Sequence, residues 1–231
     1  MKQNVYDYSF ELRRSRKKSI TAAFTVTGIL VVVLTLVCNL VLFPVFVRSD
    51  SMGPDITKNS AVFVSPLFRS PKRGDLVYLS RLDDEKQPVP LSILNKIVSF
   101  FTFQQIEPFG HTDRLTGQPT VRRVMALPGD TIYMKDYMLF VKPQDKSLYL
   151  SEFEMAEKEY SIQIYSVPVE WDGLGSTGNM EPLTLGEDEY FVLADNRIEA
   201  LDSRLWGCIP GERIKGKVIL EYFPFKKFKF F

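Results

Sequence analysis

The amino-acid sequence predicts a mainly β fold: a β domain behind one N-terminal transmembrane helix, with a short amphipathic helix inserted in it. Three observations predict it. Ser19 to Phe43, "SITAAFTVTGILVVVLTLVCNLVLF", is uncharged over more than the roughly 20 residues that cross a bilayer as a helix. Short runs rich in Val, Ile, Tyr and Phe, punctuated by Gly, Pro and Asp, follow it. Within them, one segment changes to helical periodicity.

Residues 1–18 form a basic N-terminus. The whole chain of 231 residues carries a net charge of +1, yet Lys2, Arg13, Arg14, Arg16, Lys17 and Lys18 against Asp7 and Glu11 give this end +4, which leaves −3 for residues 19–231. That distribution excludes general nucleic-acid binding and gives the basic end a local purpose. Next to the uncharged run 19–43, the purpose is orientation. The positive-inside bias keeps residues 1–18 cytoplasmic and sends residues 44–231 across the cytoplasmic membrane as an extracytoplasmic domain. A buried core helix seldom runs so far without charge. A cleaved signal peptide has an apolar region of about 7–15 residues with a small-x-small site behind it. "PVFVRSD" offers no such site.

In the outer domain, "SAVFVSP", "GDLVYLS", "TIYMKDYMLFVK", "YSIQIYSVPVEW", "EYFVLAD" and "KGKVILEYF" read as strands and hairpins. An insertion at about 82–120 interrupts them. Inside it, residues 91–106 place Leu91, Leu94, Ile97, Val98 and Phe101 on one helical face and Ser92, Asn95, Lys96, Ser99 and Thr102 on another. This amphipathic helix either packs on the sheets or lies on the lipid. The C-terminal residues 223–231, "FPFKKFKFF", read either as an interfacial segment or as a last strand.

Cofactor and metal chemistry finds no support. His111 is the single histidine, in a Gly/Asp/Thr-rich loop without spaced acidic or cysteine partners. No Gly-rich phosphate loop is present. Cys38 lies in the apolar run and Cys208 in the outer domain, so no disulfide within the chain is expected.

The chemistry-bearing segments are "RSDSMGPDI" just past the apolar run, "KRGDLVYL", "RRVMALPGD" and "ADNRIEALDSRLWGCIP". In this order and spacing they resemble the type I bacterial signal peptidases, or leader peptidases, over about residues 47–210. The resemblance implies a signal-peptidase-type antiparallel β domain. It also implies a Ser/Lys dyad that removes signal peptides from exported pre-proteins at the lipid bilayer. Position by position, Ser51 is the implied nucleophile, Ser49 joins the Ser51 amide in stabilising the oxyanion, and Met52 forms a substrate-side wall. Arg123, Asp195, Asn196, Arg197, Asp202 and Arg204 match supporting residues, the last pair of acid and base as an ion pair.

Two positions depart from the pattern. The family's lysine base falls on Arg122, and the serine that orients that lysine falls on Ala200; the leading glycine of the last motif is Ala194. A lysine can be neutral near working pH when buried, whereas a guanidinium stays protonated and has no acceptor. Arg122 is therefore not expected to act as a base. His111 and Lys135 lie outside the matching position. The expectation is a serine endopeptidase scaffold with impaired turnover; the alternative is a non-catalytic protein that binds exported chains or regulates an active signal peptidase paralogue.

Overall fold

The computed structural model describes residues 3–68, 70–80, 98, 120–164, 178–198 and 201–231, with side chains of the N-terminal helix described over 14–33. The chain divides into two compact units, Met1–Val41 and Leu42–Phe231.

The first unit is one helix, α1 (Gln3–Leu40). Its described apolar side chains are open: Phe24 is 73% exposed and Leu30 63%. The helix ends at Leu40, short of the Phe43 expected from the apolar run, and Phe43 begins a strand instead. Pro44 is the physical reason, since the residue before a proline is pushed out of the α region. Among the described residues no helix is long and apolar enough to cross a membrane, so the structure does not show the span expected over 19–43. The described side chains of α1 begin with Arg14, Arg16, Lys17 and Lys18, and the apolar run continues into residues 34–40, whose side chains lie outside the description.

The second unit is built on antiparallel sheets, as the strand pattern predicts. Its strands are β1 (Phe43–Val47), β2 (Ser60–Ser65), β3 (Leu76–Leu79), β4 (Thr120–Ala126), β5 (Thr131–Lys135), β6 (Met138–Lys142), β7 (Leu150–Ser151), β8 (Met180–Thr184), β9 (Glu189–Leu193), β10 (Ile209–Pro210), β11 (Ile214–Phe223) and β12 (Lys229–Phe230). Two short helices, α2 (Glu152–Met155) and α3 (Ser203–Trp206), interrupt them. Among the described residues the larger sheet runs β1-β2-β11-β3-β4-β9-β10 with β12 beside β11, and the smaller runs β7-β6-β5-β8. Pro44 is tolerated because β1 is an edge strand, where a missing N–H breaks no ladder.

One core cluster gathers Val45, Val47, Met52, Ile56, Val62, Val64, Leu76, Tyr78, Val121 and Val218. Another joins Ile132, Met134, Leu139 and Val141 of the small sheet to Phe191 and Leu193 of the large one. β4 contributes to both, through Val121 in the first and Met125 in the second, and carries Arg122 and Arg123, while β9 of the second cluster leads into the Asp195 segment.

Two strand expectations change. "YSIQIYSVPVEW" forms no strand in its described part, residues 160–164, and makes only an isolated parallel bridge from Gln163 to Asn196. Its alternation serves burial of Tyr160 rather than a ladder. The C-terminal segment does place Lys229 and Phe230 in a short strand on β11, while Phe225 and Phe228 stay exposed. The insertion 82–120 with its helix 91–106 lies outside the described residues apart from Val98 and Thr120, and so does His111.

Candidate active site

The loop between β1 and β2 carries Ser49, Ser51 and Met52. Its turn is closed by Gly53 N donating to Asp50 O at 3.1 Å, Ile56 N to Met52 O at 2.9 Å and Asn59 N to Val47 O at 2.8 Å. Met52 and Ile56 are fully buried and pin the loop to the core. Met52, implied as a substrate-side wall, thus has no exposed surface. Asn196 N donates to Ser51 O at 3.0 Å, so the backbone of Ser51 is held from the far side too. Ser49 Oγ and Ser51 Oγ lie 2.8 Å apart.

Arg122 and Arg123 are neighbours on β4, and strand pleat sends them to opposite faces. Arg122 reaches Ser51. Its Nη1 donates to Ser51 Oγ at 2.9 Å, to Thr120 Oγ1 at 2.6 Å and to the Val121 carbonyl at 2.6 Å. Nε and Nη2 donate to the Leu201 carbonyl at 2.9 and 2.6 Å. The side chain also lies over the Trp206 ring, 5.7 Å from its centre. All these acceptors are neutral. Burial pushes the Arg122 guanidinium down to about 10, a shift that Asp202 and Asp195 oppose and Arg204 reinforces.

Arg123 has the opposite surroundings. It donates to both Asp195 carboxylate oxygens, at 2.8 and 2.6 Å, to Asp55 at 2.7 Å and to the Gly74 carbonyl at 2.8 Å. It also stacks over Tyr160, 4.3 Å from the ring centre. Burial works against its charge, but the hydrogen bond and charge of Asp195, with Asp55 behind them, raise its pKa above the ordinary value. Asp55 is bridged in turn by Lys229 at 2.8 Å, which ties the C-terminal strand to the Ser51 loop.

The Asp195 segment supplies the remaining parts. Arg204 clamps Asp202 with two parallel bonds of 2.9 and 2.8 Å and donates to the Arg197 carbonyl at 2.6 Å. Asp202 caps α3 through Arg204 N at 3.1 Å and accepts from Ala194 N at 3.1 Å. Arg197 is buried against Glu152, which also accepts from Tyr160 Oη at 2.7 Å and Leu139 N at 3.1 Å. The structure therefore brings Ser49, Ser51, Arg122, Arg123, Asp195, Asn196, Arg197, Asp202 and Arg204 into one connected set. Ala200 lies outside the described residues.

Sequence reasoning missed Asp55, Glu152, Tyr160 and the Leu201 carbonyl. Asp55 sits in the quoted "SMGPDI" and could have been found by asking what neutralises Arg123. A backbone carbonyl has no side-chain signature, and Glu152 is about 45 residues from its partner in sequence, at a separation no periodicity reports.

A family model described as "Signal peptidase, peptidase S26" matches residues 20–223. The chain belongs to this signal peptidase family. Its members are serine endopeptidases that act on the signal peptides of exported precursors. Among the relatives, signal peptidase I of Bacillus licheniformis is 28% identical over 225 residues, covering 95% of this chain and 97% of the relative. Signal peptidase I P of Bacillus subtilis subsp. natto is 26% identical over 219 residues, covering 93% and 94%. Signal peptidase I U of Bacillus subtilis strain 168 is 33% identical over 117 residues, covering 49% and 54%. A solved signal peptidase I structure from Enterococcus faecalis V583 matches at 21% identity and a TM-score of 0.32, over 64% of this chain and 96% of that one.

Proposed function

We propose that this chain is a membrane-anchored signal peptidase I-type scaffold that keeps the nucleophile Ser51 but has lost the base, so that its turnover on exported pre-proteins is impaired. The observation that carries the reading is the Arg122–Ser51 contact of 2.9 Å. Activation of a serine requires a group that accepts the hydroxyl proton. Arg122 occupies that place as a donor, and donates to the very oxygen it would have to deprotonate. At a pKa of about 10, only about one Arg122 in a thousand is neutral at pH 7. Ala200, where the family orients its lysine with a serine, supports the same reading.

The rest of the machinery suits a retained scaffold. Ser49 Oγ lies close enough to Ser51 Oγ to serve, with the Ser51 amide, as an oxyanion donor. Arg123, Asp195, Asn196, Arg197, Asp202 and Arg204 hold the loop and strand ends that frame it. The uncharged run 19–43 and the exposed apolar side chains of α1 support a single-pass anchor, with the basic residues 1–18 cytoplasmic. Residues 223–231 offer exposed Phe225 and Phe228 beside Lys226 and Lys227 to a lipid surface. The donor-only site equally favours a second reading, a non-catalytic protein that binds exported chains or regulates an active paralogue.

The test is cleavage of a pre-protein bearing a small-x-small site by detergent-purified wild type, Ser51→Ala, Arg122→Lys and Arg122→Lys/Ala200→Ser. The double reversion is expected to cleave at least about 100-fold faster than wild type, the lower range for a positioned general base. Wild-type cleavage as fast as the reversion and abolished in Ser51→Ala overturns the proposal. Folded variants that all remain silent favour the binding reading.

A further inference from the structure

Ser51 sits on a loop that leaves the large sheet from β1, an edge strand among the described residues, whereas the group it meets stands on a strand held from both sides. β4 pairs with β3 at Val77↔Arg122 and with β9 at Arg123↔Leu193, so its side chains start from a fixed backbone. The contact of 2.9 Å between Ser51 Oγ and Arg122 Nη1 therefore depends on where the loop is held. Buried Met52 and Ile56 keep the loop on the core, but apolar burial is non-directional. A charge-assisted hydrogen bond fixes both distance and direction.

The loop carries the acceptor of such a bond four residues after Ser51. Asp55 Oδ2 accepts from Arg123 Nη2 at 2.7 Å, and the same nitrogen donates to Asp195 Oδ2 at 2.6 Å. Arg123 is the neighbour of Arg122 on β4, and the segment after Asp195 holds the Ser51 carbonyl through Asn196 N at 3.0 Å. One guanidinium thus joins the loop, the strand and the segment behind Ser51. The side chains of Asp55, Arg123 and Asp195 are 13%, 5% and 0% exposed, so water competes little for these bonds. Lys229 Nζ reaches the other Asp55 oxygen at 2.8 Å, but from a side chain that is 47% exposed. We infer that Asp55 is a positioning residue: through Arg123 it holds the Ser51 loop against β4 at the distance where Ser51 Oγ meets the side chain at position 122.

The inference goes beyond the question of turnover, because it concerns where the Ser51 oxygen is held, whatever the group at 122 does there. A misplacement of about 1 Å at such a contact costs about 100-fold in rate. Arg122 offers a probe of that distance that needs no cleavage. A thiol at position 51 beside a guanidinium titrates below the ordinary thiol value of about 8.5. With Asp55 holding the loop, its removal takes the thiol away from Arg122 and the midpoint rises. Were Asp55 only a nearby charge, its removal would favour the thiolate and the midpoint would fall. A purely stabilising role would lower Tm and leave the midpoint in place.

The experiment titrates Ser51→Cys in the full chain in detergent, by ultraviolet thiolate absorbance taken as the difference from the same chain with Ser51 kept. Asp202 and Asp195, which also act on Arg122, stay the same in every variant. With Asp55 and Arg122 in place we expect a midpoint below about 7.5. Adding Arg122→Gln should raise it by about one pH unit or more, Asp55→Ala should raise it as far, and the two together no further. Asp55→Asn keeps an acceptor for Arg123 and should keep the low midpoint, as should Lys229→Met. A midpoint that stays or falls in Asp55→Ala, one that does not move in Arg122→Gln, or an Asp55→Asn variant no better than Asp55→Ala overturns the inference. Near-UV circular dichroism confirms that each variant is folded. Should Asp55→Ala fail to fold, Asp55→Ser, polar but too short to reach Arg123, decides in its place. Pre-protein cleavage does not enter this readout, so an active wild type would remove the impaired-turnover reading and leave the midpoints unchanged.

Discussion

Replacing Glu152 by Gln should destabilise the outer domain more than any surface change could, although Glu152 is remote from Ser51 in sequence. Glu152 and Arg197 are both 0% exposed at their side chains. The carboxylate accepts from Arg197 Nη2, from Tyr160 Oη at 2.7 Å and from Leu139 N at 3.1 Å, while Arg197 Nε has no hydrogen-bond partner among the described residues. Glutamine keeps the shape and one acceptor but leaves the buried Arg197 charge without its hydrogen-bonded anion. Removing one partner of a buried ion pair costs about 3–5 kcal/mol. For a domain of this size, each kcal/mol lowers Tm by about 2–4 °C, so a fall of roughly 10 °C is expected. Thermal unfolding of the full chain in detergent, followed by near-UV circular dichroism, measures it. The double variant Glu152→Gln/Arg197→Met should recover most of the loss, because it removes the orphaned charge together with its partner. A single variant within about 1 kcal/mol of wild type, or a double variant no better than the single, would refute the reasoning.

Three other outcomes follow from the same geometry. Any residual cleavage that uses neutral Arg122 as its base should rise about tenfold per pH unit from neutrality towards pH 10, since burial lowers its pKa to about 10 and only the deprotonated form accepts a proton. A rate that levels off near pH 8 in a pH–rate profile would assign the base elsewhere. Gly216→Ala should cost about 1–3 kcal/mol in a urea titration, because the new Cβ would collide with the Ser65 carbonyl oxygen where β11 pairs with β2. Lys229→Met should stay within about 0.5 kcal/mol of wild type by the same titration, as Lys229 is 47% exposed and Arg123 keeps Asp55 occupied without it.

Much of the strand order was legible because the relevant signals are local. Short runs rich in Val, Ile, Tyr and Phe mark β2, β5, β6 and β9, and the Asp136–Tyr137 turn between β5 and β6 falls where the run "TIYMKDYMLFVK" breaks, both residues at positive φ. "YSIQIYSVPVEW" misled because its alternation looks like a ladder, while its described part buries Tyr160 against Arg123 and Glu152 and bridges only at Gln163. The end of α1 was misplaced because hydropathy runs on through Phe43, whereas Pro44 decides the backbone.

By itself, the sequence determined the residue types of the site: a serine at 51, and at 122 a guanidinium, which stays protonated near neutral pH where a lysine can be neutral. Those are properties of side-chain chemistry and need no neighbours. Only the tertiary structure decided what Arg122 does there. Two arginines adjacent on β4 have the same chemistry, yet Arg123 meets Asp195 and Asp55 while Arg122 meets carbonyls and the hydroxyl of Ser51. The physical reason is the pleat, which sends neighbouring side chains to opposite faces of one strand, and the strands and loops packed on each face settle which charge is answered.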